Sequence, residues 1–208
     1  MNVQKEEHMR KMKRFAALAL TVVMGLSLVA CGKDDDKKDS GSNGGNETAT
    51  EAQAEVKTTV VDTGEIKAIV PEGWTGLQVH DMFSDDPEAK DPEQLQIIKG
   101  GTTAEDAWKC NFIQVYYSAP GETLASAKDF YEDAKDIEPF EKGGYSWTGY
   151  TCSSMGYEYT IIEGKKGEES LQLSILTKNG EQTISFDDTD VQFIIENITT
   201  TPPATTEK

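Results

Sequence analysis

Two histidines, three cysteines and 37 acidic side chains are the groups with which this sequence could do chemistry. His80 stands in Gln78-Val79-His80-Asp81-Met82-Phe83. As a general base it would need a serine or threonine hydroxyl brought to it by folding and a third group to orient its ring. The sequence has no Gly-x-Ser-x-Gly elbow and no glycine-rich phosphate loop with its lysine. Gly100-Gly101-Thr102-Thr103 reads as a turn. Asp85, Asp86 and Glu88 lie in a long acidic loop where a weak calcium site competes with simple solvation, and solvation is the preferred reading. No catalytic residue, metal ligand or cofactor is assigned on these grounds.

Aromatic residues form a second set. Trp108, Tyr116, Tyr117, Tyr145, Trp147, Tyr150, Tyr157 and Tyr159 crowd the middle of the chain. Such rings bury apolar area while keeping a polar atom available. Trp108, Tyr116, Trp147 and Tyr157 are the candidate ligand-binding residues, for a peptide, a glycan or a small apolar ligand. Core packing is the competing use of the same residues.

The first thirty residues must position Cys31. Met9-Arg10-Lys11-Met12-Lys13-Arg14 is a basic run, and Phe15–Ala30 follows with no charge. This is the pattern of a secretory signal peptide over residues 1–30. As a helix the apolar run would reach only ~24 Å, short of a ~30 Å hydrocarbon core. Leu28-Val29-Ala30-Cys31 resembles the lipobox of bacterial lipoproteins. That resemblance implies cleavage before Cys31 and a diacylglyceryl group on its thiol. The chain is then held at the extracytoplasmic face of a cell membrane, with the bilayer as its partner through the acyl chains.

The remainder is strongly acidic. From Cys31 onward there are fifteen lysines, no arginine and 35 acidic residues, a net charge of about -20. Nucleic acid is a poor partner for such a surface, and anionic headgroups are repelled, so acyl chains must do the anchoring. Residues 31–57 carry an Asp/Lys run, then Ser40-Gly41-Ser42-Asn43-Gly44-Gly45-Asn46, with no aromatic side chain. This composition predicts a flexible linker. Residues 199–208 read as a disordered tail.

Residues 58–198 form one α+β domain in this reading. Ile66, Ala68 and Val70 alternate along a strand that Pro71-Glu72-Gly73-Trp74 turns. Leu95–Ile98 and Phe112–Tyr117 are further strands, the second apolar on both faces and so central. Leu124, Ala127, Phe130, Tyr131, Ala134 and Ile137 recur at helical spacing, with Thr123 as N-cap and Pro139 as stop. Tyr145–Tyr150, Tyr157–Ile162 and the alternating Leu171, Leu173 and Ile175 extend the sheet, the last with Gln172 and Ser174 on a wet face. Asn179-Gly180 predicts a hairpin turn before Ile184 and Phe186. Val191, Ile194, Ile195 and Ile198 stripe a closing helix, with capping-box spacing at Thr189–Gln192.

An antiparallel sheet with helices packed on it is the economical assembly of these elements. The Val70-Pro71-Glu72-Gly73-Trp74 strand end, the mid-chain helix and the closing helix are similar to the PsbP-like family of α/β/α sandwiches. The resemblance implies a non-catalytic binding or assembly module. The function expected is therefore that of a lipid-anchored module of a bacterial envelope, with an envelope protein, peptide or glycan as partner. Two alternatives remain: a secreted or envelope-modifying hydrolase using His80, and a ligand-capture lipoprotein.

Cys110 and Cys152 are 42 positions apart on either side of the expected helix. Export favours a disulfide between them, worth ~4 kcal/mol by chain entropy. Two buried free thiols are the alternative.

Overall fold

Side-chain alternation builds most of this molecule. A computed structural model describes residues 57–122 and 124–202. The expected signal peptide, Cys31 and nearly all of the expected linker lie outside those residues, as does Thr123. Eleven strands are described: β1 Thr58–Asp62, β2 Ile66–Pro71, β3 Trp74–His80, β4 Lys90–Lys99, β5 Phe112–Ser118, β6 Lys135–Lys142, β7 Tyr145–Ser154, β8 Tyr157–Lys166, β9 Glu169–Asn179, β10 Gln182–Thr183 and β11 Ile198–Thr200. One α-helix, α1, spans Thr189–Glu196.

The large sheet runs β3-β4-β5-β9-β8-β7-β6, with β10 hanging from β9, and every pairing in it is antiparallel. A smaller antiparallel sheet, β1-β2-β11, and α1 supply the apolar groups that face it. The odd-numbered residues Leu95, Ile97, Ile113, Val115, Tyr145, Trp147, Leu171, Leu173 and Ile175 point to one side and are buried. Ile66, Ala68 and Val70 of β2 and the Val191, Ile194, Ile195 stripe of α1 meet them in a single core. Each large aliphatic side chain buried this way contributes about 1.5–3 kcal/mol. Trp74 ties the layers together: its Nε1 donates to Asp190 Oδ2 of α1 at 3.1 Å, and Lys99 Nζ lies 5.4 Å from its ring centroid.

The fold is thus α+β, with a large antiparallel sheet and one helix packed on it. The expected helix over Leu124–Ile137 does not form. In its place an extended crossover joins β5 to β6, with only a 3-10 turn at Lys128–Phe130. Its apolar residues have separate destinations. Phe130 is 84% exposed, Tyr131 and Ala134 pack on Tyr150, Cys152 and Ile161, and Ile137 sits in β6 against the main core. The free edge of β7 claims the end of the segment as a partner strand, which a helix would have left unpaired.

Two further boundaries move. Asp188, not Thr189, is the N-cap of α1, and its side chain makes no capping hydrogen bond, so the expected capping box does not form. Ile198 belongs to β11, which pairs with β2, so Thr199 and Thr200 of the expected tail lie in a strand.

Cys110 and Cys152 are free thiols, which overturns the expected disulfide. Cys110 precedes β5, whereas Cys152 lies in β7, and β9 and β8 come between those strands. Three inter-strand steps span roughly 14 Å. A disulfide needs Cα atoms within roughly 7 Å.

Candidate functional site

The opposite face of the large sheet is polar, and its registers show how. Gln94, Tyr116, Gln172, Glu163 and Thr148 form one row across β4, β5, β9, β8 and β7. Gln96, Gln114, Ser174, Ile161 and Tyr150 form the next. Their side chains are linked sparingly: Gln96 Nε2 donates to Gln114 Oε1 and Gln172 Nε2 to Glu163 Oε1, both at 3.4 Å. Gln172 was expected on a wet face, yet it is 2% exposed.

The crossover covers one end of this face. Asp133 accepts hydrogen bonds from the Ser153 amide at 3.1 Å and from the Ser153 hydroxyl. These bonds hold the Asp133 carboxyl below the usual carboxylate range. Lys128 Nζ meets Asp136 Oδ1 at 2.5 Å, and the rings of Tyr131 and Tyr150 lie 6.3 Å apart.

Beside the crossover, β6 contains a bulge. Ile137 pairs with Gly149 and Phe140 with Trp147, so Glu138 and Pro139 together oppose Thr148 alone. Proline has no amide hydrogen to give to a ladder, and an edge strand is where a sheet tolerates it. The bulge and the crossover frame a cleft of about 390 Å³. Ser126, Lys128, Asp136, Glu138, Tyr150 and Glu163 supply its hydrogen-bonding and charged groups, and Ile137 and Pro139 supply apolar wall. Burial pushes the Tyr150 phenol up, and the nearby Cys152, Tyr131 and Glu163 add to this. The hydroxyl therefore stays protonated across the ordinary pH range.

The residues singled out from sequence do not come together. Trp108 ends a 3-10 turn and is 63% exposed. Tyr116 is half-buried on the polar face, between Gln94 and Gln172. Trp147 is core on the opposite face, with Nε1 donating to the Lys142 carbonyl at 2.9 Å and its ring stacked on Phe140. Tyr157 is half-buried at the start of β8. None of the four lines the cleft.

His80 is exposed at the end of edge strand β3, on the other side of the sheet from β6. Its Nδ1 lies 2.8 Å from the Ala89 carbonyl oxygen, which fixes that nitrogen as the donor. The acidic loop uses its carboxylates on its own backbone: Asp81 accepts from Phe83 N and Asp86 from Glu88 N, both at 2.9 Å. No group of three or more His, Cys, Asp or Glu side chains among the described residues is arranged to hold a metal ion.

None of the cleft residues was singled out for ligand binding in the sequence: Tyr150 stood only among the crowded aromatics, and Ile137 and Pro139 only as parts of the expected helix and its stop. They lie on the crossover and on three separate strands, and only the register across β6, β7 and β8 together with the packing of the crossover assembles them. The one available signal was Pro139 among strand-forming residues. No known protein-family profile matches the chain, and no curated protein matches it by sequence. What the fold defines on its own is an α+β domain with one large antiparallel sheet, a helix-covered apolar face and a polar face with a cleft.

Proposed function

We propose that this chain is a lipid-anchored, non-enzymatic binding or assembly module on the extracytoplasmic face of a bacterial membrane. The Leu28-Val29-Ala30-Cys31 sequence behind an uncharged run supports the anchor, and the bilayer is then its partner through acylated Cys31. The observation that carries the binding role is the cleft at the β6 bulge. It gathers hydroxyls, carboxylates and apolar wall around a small volume. The side chains at its mouth are engaged as an ion pair, Lys128 with Asp136, rather than as a nucleophile and its base. An envelope protein, peptide or glycan is the class of partner within reach. A PsbP-like sandwich is the finer reading of the fold. The β2–β3 turn and closing α1 support it, and the missing mid-chain helix counts against it.

Two measurements on protein extracted from bacterial membranes test the proposal. Mass spectrometry of the amino-terminal peptide is expected to show a diacylglyceryl adduct on Cys31. Titration with soluble envelope fragments, followed by amide NMR, is expected to shift residues of β6–β8 without consuming the fragment. An unmodified Cys31, or turnover of the fragment, would sink it.

A further inference from the structure

We infer that the crossover is a strap: Leu124–Ile137 swings off the sheet as one unit, pivoting at the β6 bulge, while the rest of the domain stays folded. This goes beyond the binding-module reading and does not rest on it.

Burial sets the segment apart. No side chain from Leu124 to Ile137 is fully buried. Tyr131 and Ala134 rest on the small cluster of Tyr150, Cys152 and Ile161, and of the strap's apolar residues only Ile137 packs on the main core. The strands beneath differ, because Ile162, Leu171, Leu173 and Ile175 are completely enclosed. Segments that enclose little apolar surface open at a lower free energy than the strands of a core.

The fastenings divide at the bulge. Beyond it, β6 is held from several directions. Phe140 stacks on Trp147, the Trp147 indole donates to the Lys142 carbonyl at 2.9 Å, and Lys142 Nζ donates to Gln192 Oε1 of α1 at 2.7 Å. Before it, Lys135, Asp136 and Ile137 pair with β7 alone. Asp133 adds its bonds to the amide and hydroxyl of Ser153, and these act as a latch. The Lys128–Asp136 pair joins two parts of the strap and travels with it. The bulge breaks the ladder between the two halves of β6, which makes it the pivot. On the other side, Gly121 holds a φ of +83°, where glycine turns freely.

The sequence of the strap is a separate observation. Leu124, Ala127, Tyr131 and Ala134 keep helical spacing in a segment that is extended, and Phe130 stays exposed in it. A local preference at odds with the fold lowers the cost of leaving that fold. Lifting the strap takes Tyr131 and Ala134 off Cys152 and bares the edge of β7 at Gly149–Thr151. The Cys152 thiol therefore reports the opening.

The test uses the full chain in mild detergent, at urea concentrations below the unfolding midpoint given by Trp fluorescence. Amide hydrogen exchange and thiol labelling are both read by peptide mass spectrometry. Exchange of Leu124–Ile137 and labelling of Cys152 are expected to show less than about a third of the urea dependence of β8 and β9, since a small opening exposes little surface. Asp133→Ala unfastens the latch and should speed Cys152 labelling about three- to tenfold. Ser153→Ala drops one of the two latch bonds and should speed it about two- to threefold. Asp190→Ala weakens the junction of α1 and β3, which stays intact when the strap lifts. It should lower the unfolding midpoint and leave Cys152 labelling unchanged at low urea. The inference is overturned if the strap and Cys152 follow the urea course of β8 and β9. It is equally overturned if Asp190→Ala speeds Cys152 labelling as much as it speeds exchange in those strands, or if neither latch variant speeds it.

Discussion

The six-membered ring of Trp147 lies across the backbone of Gly164, its cross-strand partner. A Cβ placed on Gly164 would sit 2.7 Å from Cζ3 of the indole. The glycine is therefore the complement of the tryptophan, and the room it leaves lets the largest core side chain lie flat on β8. Gly164→Ala is expected to destabilise the domain by about 1–3 kcal/mol, the usual cost of overpacking. Urea unfolding followed by Trp fluorescence measures this. An unchanged midpoint would show that the indole moves freely.

The junction between α1 and β3 can be tested at one atom. Asp190 accepts from the Trp74 indole and also sits in the first turn of α1, where negative charge is favoured by the helix dipole. Asp190→Ala removes both effects and should cost about 1–2 kcal/mol. Asp190→Asn keeps an acceptor and should recover most of the loss. Equal destabilisation by the two variants would assign the effect to charge alone.

Alkaline pH should unfold this domain from a defined starting point. Burial pushes the Cys152 thiol from 9.0 up to about 11, and Tyr159 from 10.0 up to about 12. Burial also raises Tyr117, Tyr145 and Tyr150. In each case the folded state keeps a proton that the unfolded chain gives up. Stability is thus full below pH 9.0 and falls as pH climbs toward about 11, with Cys152 leading. The slope is about 1.4 kcal/mol per pH unit for each fully buried group. Urea midpoints between pH 8 and 11 should follow this course, and Cys152→Ala should delay its onset to the tyrosine range.

The two thiols should also differ in reactivity. Cys110 is half-buried and Cys152 is buried. Native protein treated with a thiol reagent is expected to modify Cys110 first and Cys152 only once denaturant is added. A non-reducing digest should contain no peptide linking the two. A linked peptide in freshly purified protein would contradict the strand order described above.

Lys128 and Asp136 form an exposed pair. Lys128→Gln should shift stability by less than about 0.5 kcal/mol, as is usual for surface ion pairs. Thermal unfolding checks this, and a larger shift would show that the pair helps to hold the crossover on β6.

Strands with a simple alternation were readable in the sequence. Ile66, Ala68 and Val70, or Leu171, Leu173 and Ile175, can bury themselves in only one way. The closing helix was readable for the same reason, through Val191, Ile194 and Ile195. The failures have physical causes. β1 is mostly exposed, and β11 is three residues long with only Ile198 buried, so their strand character comes from pairing with β2 and not from their own pattern. The segment Leu124–Ile137 has a genuine helical period, yet tertiary pairing overrides it once Lys135–Lys142 joins β7. Gln172 looked like a solvent-facing residue because its neighbours alternate. Its burial depends on what lies over that face, which a strand pattern does not contain.

The smaller sheet has a mechanical consequence. β1 and β11 flank β2, and both run antiparallel to it. The chain enters at Thr58, level with Pro71, and leaves past Thr200, level with Ile66 at the far end of β2. A pull between the two ends is therefore directed along the strands. It loads the hydrogen bonds of both ladders in shear, all at once, instead of peeling them one by one. A domain held at its amino-terminal side and tugged from its carboxyl-terminal side would resist extension until those ladders gave way together.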